Sequence, residues 1–390
     1  MISTQKYSGP DIKAIIDEKG LDSNAWYWRK ELSKVRGSDV KRTLSRNPGS
    51  YSLQKLLSFV SPAAEDYLEE MAQLAHQLTI QRFGRTIRLY APLYLSNFCI
   101  NSCLYCGFNK DSYSERKRLT IKQALAEADI IASEGFRDML LVSSEDREFI
   151  TIEYLAELAG KLRDKFSFIS IEVYPMNSSE YTKLFEAGIE GVTLYQETYN
   201  RQAYQYYHPA GPKANYENRL AAPDRIAQAG MREIGLGVLL GLTDWRTETL
   251  ALAEHAHYLM KRYWRSHISF SFPRLRPAYK VNDLQFEHLL SDKNLVQMIL
   301  ALRLCFTDAG LVLSTRERAE LRDHLIKLGI TKISAGSKTS PGGYSGQTSA
   351  VEQFEIDDRR SPAQITTMIR EQGFEPVWKD WDSAVDAPTH

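Results

Sequence analysis

The chain has 390 residues, 43% of them hydrophobic, enough for one large core or two modest ones, which excludes disorder, short peptide scaffolds and collagen-like chains. Its 49 lysines and arginines cancel its 49 aspartates and glutamates, so no long-range field attracts a phosphate backbone or an anionic membrane, and neither is predicted as a partner. With no apolar run of about 18 residues and no secretory-type N-terminus, the expected location is the cytoplasm.

In chain order, residues 1–85 predict a helical extension, with apolar side chains at three- and four-residue spacing over 54–57 and 63–80. From Thr86 the β-branched and aromatic run IRLYAPLYL predicts a strand that feeds directly into Cys99. Thr120 can cap a helix ending near Gly135, before a strand over 139–142, and Thr151 can cap the next, before a strand over 168–173. Helices over 178–188, 215–230 and 247–261 alternate with strands over 191–195, 234–240 and 268–272. Helices over 284–309 and 317–328 precede the last two strands, 311–314 and 330–334. Eight strands alternating with helices predict an α/β fold, a (β/α)8 barrel over residues 86–340, followed by a C-terminal extension over 341–390. An open doubly wound sheet is the runner-up, because alternation shows parallel strands but not closure.

In a barrel, catalytic groups gather at the C-terminal strand ends. Here those ends read Cys99 to Cys106, Ser143-Ser144-Glu145, Glu172, Gln196-Glu197, Arg274-Leu275-Arg276, Thr315-Arg316-Glu317 and Ser334 to Ser337. Cys99, Cys103 and Cys106 are spaced C-x3-C-x2-C, so one loop presents three soft ligands and leaves a fourth metal position without a protein donor. A cubane iron–sulfur cluster fits that pattern; a structural zinc site would need a fourth ligand, and no histidine occurs between Cys106 and His208. Cys305, flanked by Leu304 and Phe306, is expected to be core filler.

The sequence Cys99-x3-Cys103-x-Tyr105-Cys106, followed by Gly107-Phe108, resembles the signature of the radical S-adenosylmethionine enzymes. That resemblance implies a [4Fe–4S] cluster whose fourth iron chelates S-adenosylmethionine and whose electron releases a 5′-deoxyadenosyl radical. It also implies that Tyr105 packs on adenine and that Glu145 binds the amino group of S-adenosylmethionine. Ser143 and Ser144 stand where the family usually has two glycines. Glu172, Gln196 and Glu197 are placed beside the same cofactor.

The similarity extends through 195–200, 208–213, 273–278, 314–317, 352–354 and 375–381, segments that resemble the tyrosine lyases of anaerobic thiamine biosynthesis, the 2-iminoacetate synthases. Membership implies cleavage of the Cα–Cβ bond of L-tyrosine to p-cresol and 2-iminoacetate. It further implies a thiazole synthase that consumes the imine and a flavodoxin- or ferredoxin-type electron donor. Arg316 matches the arginine that grips the substrate carboxylate, against an alternative ion pair with Glu317 or Glu320; Ser334 and Ser337 are expected to assist, or to cap turns. Arg276, with Arg274, is expected either to balance charge at the site or to form a structural salt bridge. The loop 341–346 reads as a lid or as a flexible connection. The alternatives are a hydrogenase-maturation or tryptophan-lyase type of aromatic amino-acid lyase, or a non-catalytic metal-binding scaffold. The hydrogenase-maturation type holds a second cluster on C-terminal cysteines, and no cysteine follows Cys305.

Overall fold

The structure, a computed structural model, describes residues 9–378 except 47, 113, 280, 282–284 and 347. Eight strands run in parallel: β1 (Thr86–Ser96), β2 (Asp138–Ser143), β3 (Phe168–Glu172), β4 (Gly191–Thr193), β5 (Glu233–Gly237), β6 (His267–Ser271), β7 (Gly310–Leu313) and β8 (Lys332–Ser334). Each pairs with its sequence neighbour, and β1 pairs with both β2 and β8, so the sheet closes and the open alternative falls. Closure buries β1 on both faces, which is why its sequence is apolar without a clean alternation.

The helices begin where side-chain caps allow. Thr120 and Gln123 form a reciprocal capping box for Ile121–Ser133, Thr151 caps Ile152–Leu162 and Asn177 caps Ser178–Glu186. The long helix expected over 284–309 is shorter, Asp292–Cys305, because Ser291 caps it; Leu284 lies outside the described residues. The helix expected over 215–230 breaks at Ala221 into Tyr216–Leu220 and Ala222–Gln228, with Pro223 in the first turn of the second, where its missing N–H costs nothing.

A further helix, Arg201–Tyr207, precedes that pair, and Pro362–Glu371 leads to a ninth strand, β9 (Glu375–Val377). Arg88 pairs with Lys332 on one edge and Val377 on the other, so β9 occupies the edge of β1 that β2 takes over from Ala91 onward. The motif residues 379–381 lie outside the described residues.

The N-terminal helices pack on the outside of the barrel. Leu53–Val60 and Leu68–Phe83 lie against Asp292–Cys305, and Ile12–Lys19 lies against Trp245–Arg262. Two bonds fix the first contact, from the buried Gln297 amide to the carbonyls of Phe59 (2.9 Å) and Ser61 (2.8 Å). Among the described residues, no helix is long and apolar enough to cross a membrane.

Candidate active site

The loop after β1 is held by side chains, not by secondary structure. Arg116 donates to the carbonyls of Asn97, Phe108 (2.9 Å), Asn109 (2.5 Å) and Ser112 (3.1 Å), gathering the whole cysteine loop around one guanidinium. Asn101 ties it to the neighbouring strand ends: its amide donates to Glu145 Oε2 (2.8 Å) and its oxygen accepts from the Lys213 N–H (2.8 Å). Gly211, at φ 93°, lies so near that an added Cβ would stand 2.4 Å from Asn101 Oδ1. Gly107 is also tightly placed, since its Cβ would meet the Gln353 carbonyl at 3.0 Å.

Cys99, Cys103 and Cys106 all face one cavity of about 650 Å³ that opens to solvent. Burial pushes the Cys103 thiol up to about 12, and burial, then the neighbouring Cys99, raises Cys106. Such thiols become thiolates when positive charge arrives to hold them, as iron supplies. The donor set fits a cluster with one open corner. His208 is no fourth ligand, because its Nε2 accepts from the Tyr105 hydroxyl (2.8 Å) while its Nδ1 donates to the Tyr204 carbonyl (2.8 Å). Burial holds His208 down at about 3, so it is the neutral tautomer.

The same cavity brings in Ser143, Ser144, Glu145, Glu172 and Glu197, together with Lys213 and Arg219, which the sequence did not single out as site residues. Ser144 bonds the Phe98 carbonyl, so this hydroxyl replaces the missing glycine geometry with a link back to the cysteine loop. Glu145 is oriented by Asn101 and by Arg147 (2.8 Å). Glu197 has φ 70°, a left-handed conformation rare outside glycine, and is gripped by Lys213 (2.7 Å) and Arg219 (3.4 Å). Burial alone would raise its pKa, but those two cations outweigh it and the net direction is down. Tyr105 and Gln196 are not among the lining residues: Tyr105 is turned to His208, 5.7 Å from the Lys213 ammonium, and the Gln196 amide nitrogen is buried without a partner among the described residues.

A second cavity, about 530 Å³, adjoins the first through shared walls at Val142, Glu172 and Tyr195. It holds Arg316, Ser334 and Ser337, with Tyr90, Tyr94 and Phe354. Arg316 makes no ion pair with Glu317, whose carboxylate is taken by Arg274 through a bond of 2.9 Å from Nε. Instead the Arg316 guanidinium lies 3.3 Å over the Phe354 ring and, among the described residues, reaches one acceptor, the Arg274 carbonyl at 3.4 Å. The Ser337 hydroxyl is buried with no hydrogen-bond partner among the described residues, and Ser334 Oγ accepts from the Thr315 N–H (3.1 Å). Arg276 is not brought in: it pairs with Asp357, the structural salt bridge that was its alternative reading.

Gln353 explains the C-terminal motif. Its side chain accepts from the Tyr94 hydroxyl (2.8 Å) and lines the cysteine cavity, while Phe354 carries Arg316 in the second cavity. The glycine-rich loop is pinned, not free: the buried carboxylate of Glu127 accepts from the N–H groups of Tyr344 (2.8 Å) and Ser345 (3.0 Å).

A model described as the Radical SAM superfamily matches residues 93–253, and one described as the Biotin and Thiamin Synthesis associated domain matches residues 271–375. The chain is 42% identical over 356 residues, 91% of its length and 93% of the relative's, to the 2-iminoacetate synthase of Salmonella typhimurium. It belongs to the 2-iminoacetate synthase family. The Escherichia coli K12 member is 41% identical over the same shares of both chains. Among solved structures, the [FeFe]-hydrogenase maturase HydG superposes with a TM-score of 0.87 at 31% identity, covering 95% of this chain and 82% of that one. In this 2-iminoacetate synthase family member the two matched regions divide the site: the first supplies the cysteines and Glu172, the second supplies Arg316, Ser334, Ser337 and Gln353.

Proposed function

We propose that the protein is a radical S-adenosylmethionine lyase that converts L-tyrosine to 2-iminoacetate and p-cresol, with 5′-deoxyadenosine and methionine as co-products, for thiazole formation. One observation carries the reading: Arg316, a guanidinium without a carboxylate partner among the described residues, faces a cavity that shares a wall with the three-cysteine cavity. An amino acid fits that arrangement, its carboxylate on Arg316 and on the unpartnered Ser337 hydroxyl.

Cys99, Cys103 and Cys106 would hold a [4Fe–4S] cluster, which with bound S-adenosylmethionine supplies the radical that no acid–base side chain can generate. Toward that cofactor, Lys213 and Arg219 would meet its carboxylate, and Glu145 and Glu197 its ammonium and hydroxyl groups. Tyr105, tied by His208, would flank the adenine at the outer side of the loop. The buried phenols of Tyr90 and Tyr94, the half-buried Tyr195 and the ring of Phe354 would exclude water around the substrate, which slows hydrolysis of the imine. A thiazole synthase would take the imine and a flavodoxin- or ferredoxin-type protein would deliver the electrons.

The test is anaerobic incubation of the iron-reconstituted protein with dithionite, S-adenosylmethionine and L-tyrosine. Formation of p-cresol and 5′-deoxyadenosine together supports the reading; 5′-deoxyadenosine at a rate indifferent to tyrosine, with no p-cresol, refutes it.

A further inference from the structure

Arg316 and Glu172 face one cavity and do not pair with each other. Glu172 closes β3 and lines both cavities, and its carboxylate makes no hydrogen bond or ion pair to any described residue. A cation-binding carboxylate and an anion-binding guanidinium, held apart across an enclosed space, complement a zwitterion. Because Glu172 also borders the cysteine cavity, whatever it binds lies on the cofactor side of the substrate.

We propose that the Glu172 carboxylate accepts a hydrogen bond, and then a proton, from the α-ammonium of the bound amino acid, presenting a neutral amine to the cofactor. The step moves one proton: R–NH3⁺ and –COO⁻ become R–NH2 and –COOH, with nothing oxidised or reduced. This role rests on the reading of the second cavity as an amino-acid site. Burial raises the Glu172 pKa to about 7 against the opposing pull of Arg316, with Glu197 adding to the rise and Lys213 and Arg219 opposing it. The phenols of Tyr90, Tyr94, Tyr174 and Tyr195, the Glu145 carboxyl and the three cysteine thiols also line the two cavities that it borders. A carboxyl poised there serves as a base near neutral pH and returns the proton afterwards.

The test compares L-tyrosine with 3-(4-hydroxyphenyl)propionate, which lacks the amino group, by calorimetric titration of the unreduced, cofactor-loaded enzyme. Glu172→Gln is expected to lose about tenfold or more in affinity for L-tyrosine while binding the amine-free analogue as the wild type does, which also shows that the variant is folded. Arg316→Ala is expected to weaken both ligands. In the wild type, kcat/KM for p-cresol should fall as pH drops below about 7. That acid limb should vanish in Glu172→Gln, with a rate lower by roughly 100-fold or more, and return in Glu172→Asp. Wild-type tyrosine affinity and an unchanged acid limb in Glu172→Gln would overturn the role, as would equal loss of both ligands. If the wild type binds neither ligand, the amino-acid reading itself has failed, and this role with it.

Discussion

Arg316 and Glu317 are adjacent in the chain, yet they face different tasks. Glu317 is buried against Arg274, which leaves Arg316 on the ring of Phe354 with its donors turned to a cavity. Arg316→Ala is expected to weaken L-tyrosine binding by about 2 kcal/mol or more, roughly 30-fold, the usual loss when one side of a buried charge-assisted pair is removed. The variant should keep its iron and still cleave some S-adenosylmethionine; wild-type tyrosine affinity would place the clamp elsewhere. Cys106→Ala, in contrast, is expected to lose both iron and p-cresol formation, read by an iron assay and product analysis. Most of these residues were legible because cysteine spacing and strand-end position are properties of the sequence. Arg219 and Lys213 were not: Arg219 lies on a five-residue helix where a cation reads as a solvated face, and only its burial against Glu197 reveals it. Arg276 stood at an equally suggestive strand end and turned out to serve Asp357.

At the scale of elements, the site depends on how closely the cysteine loop and the segment after β4 approach each other. The cysteine loop donates N–H···O bonds from Ser102 to the Ala210 carbonyl (3.1 Å) and from Leu104 to the Tyr207 carbonyl (3.1 Å), so the segment after β4 is its floor. Gly211→Ala would place a methyl group 2.7 Å from the Ile100 carbonyl at a backbone angle of φ 93° that alanine resists. It is expected to destabilise the protein by more than about 1 kcal/mol and to lower iron retention, measured by thermal unfolding and iron content. An unchanged melting temperature and full iron loading would show that the floor is not needed. Capped helices and the long first strand were readable because each carries its own local signal, as Thr120 with Gln123 does. The helix Arg201–Tyr207 and strand β9 were not, since they are seven and three residues long and exist by packing on neighbours. The pinning of loop 341–346 was equally hidden, because its anchor, Glu127, lies on a distant helix.

For the whole molecule, chemistry sits at one end of the barrel and a structural charge network at the other. Near the strand beginnings, Asp138 receives Arg88 (2.5 Å) and Lys332 (3.0 Å), and Glu233 lies within 3.6 Å of Arg88 and 3.9 Å of Lys332. Burial alone would raise the Glu233 pKa, but Lys332 and Arg88 outweigh it and hold the group at about 2, below its ordinary value of 4.5. A depressed carboxyl stabilises the fold above its unfolded pKa and loses that contribution as pH falls through the folded value. The wild type should therefore lose stability between about pH 4.5 and 2, and Glu233→Gln should show a shallower fall in melting temperature across that window. An identical pH dependence in the variant would remove the network from the stability of the barrel.

The closed barrel places a three-cysteine loop beside the cavity that holds Arg316, and the proposed function depends on a cluster in that loop keeping one corner for S-adenosylmethionine. Electron paramagnetic resonance of the dithionite-reduced, iron-reconstituted protein, recorded with and without S-adenosylmethionine, tests this most directly. The predicted result is a [4Fe–4S]⁺ signal from about four irons per chain whose g values shift when S-adenosylmethionine is added. A signal that S-adenosylmethionine leaves untouched, or a protein that retains zinc and shows no cluster signal, would contradict it.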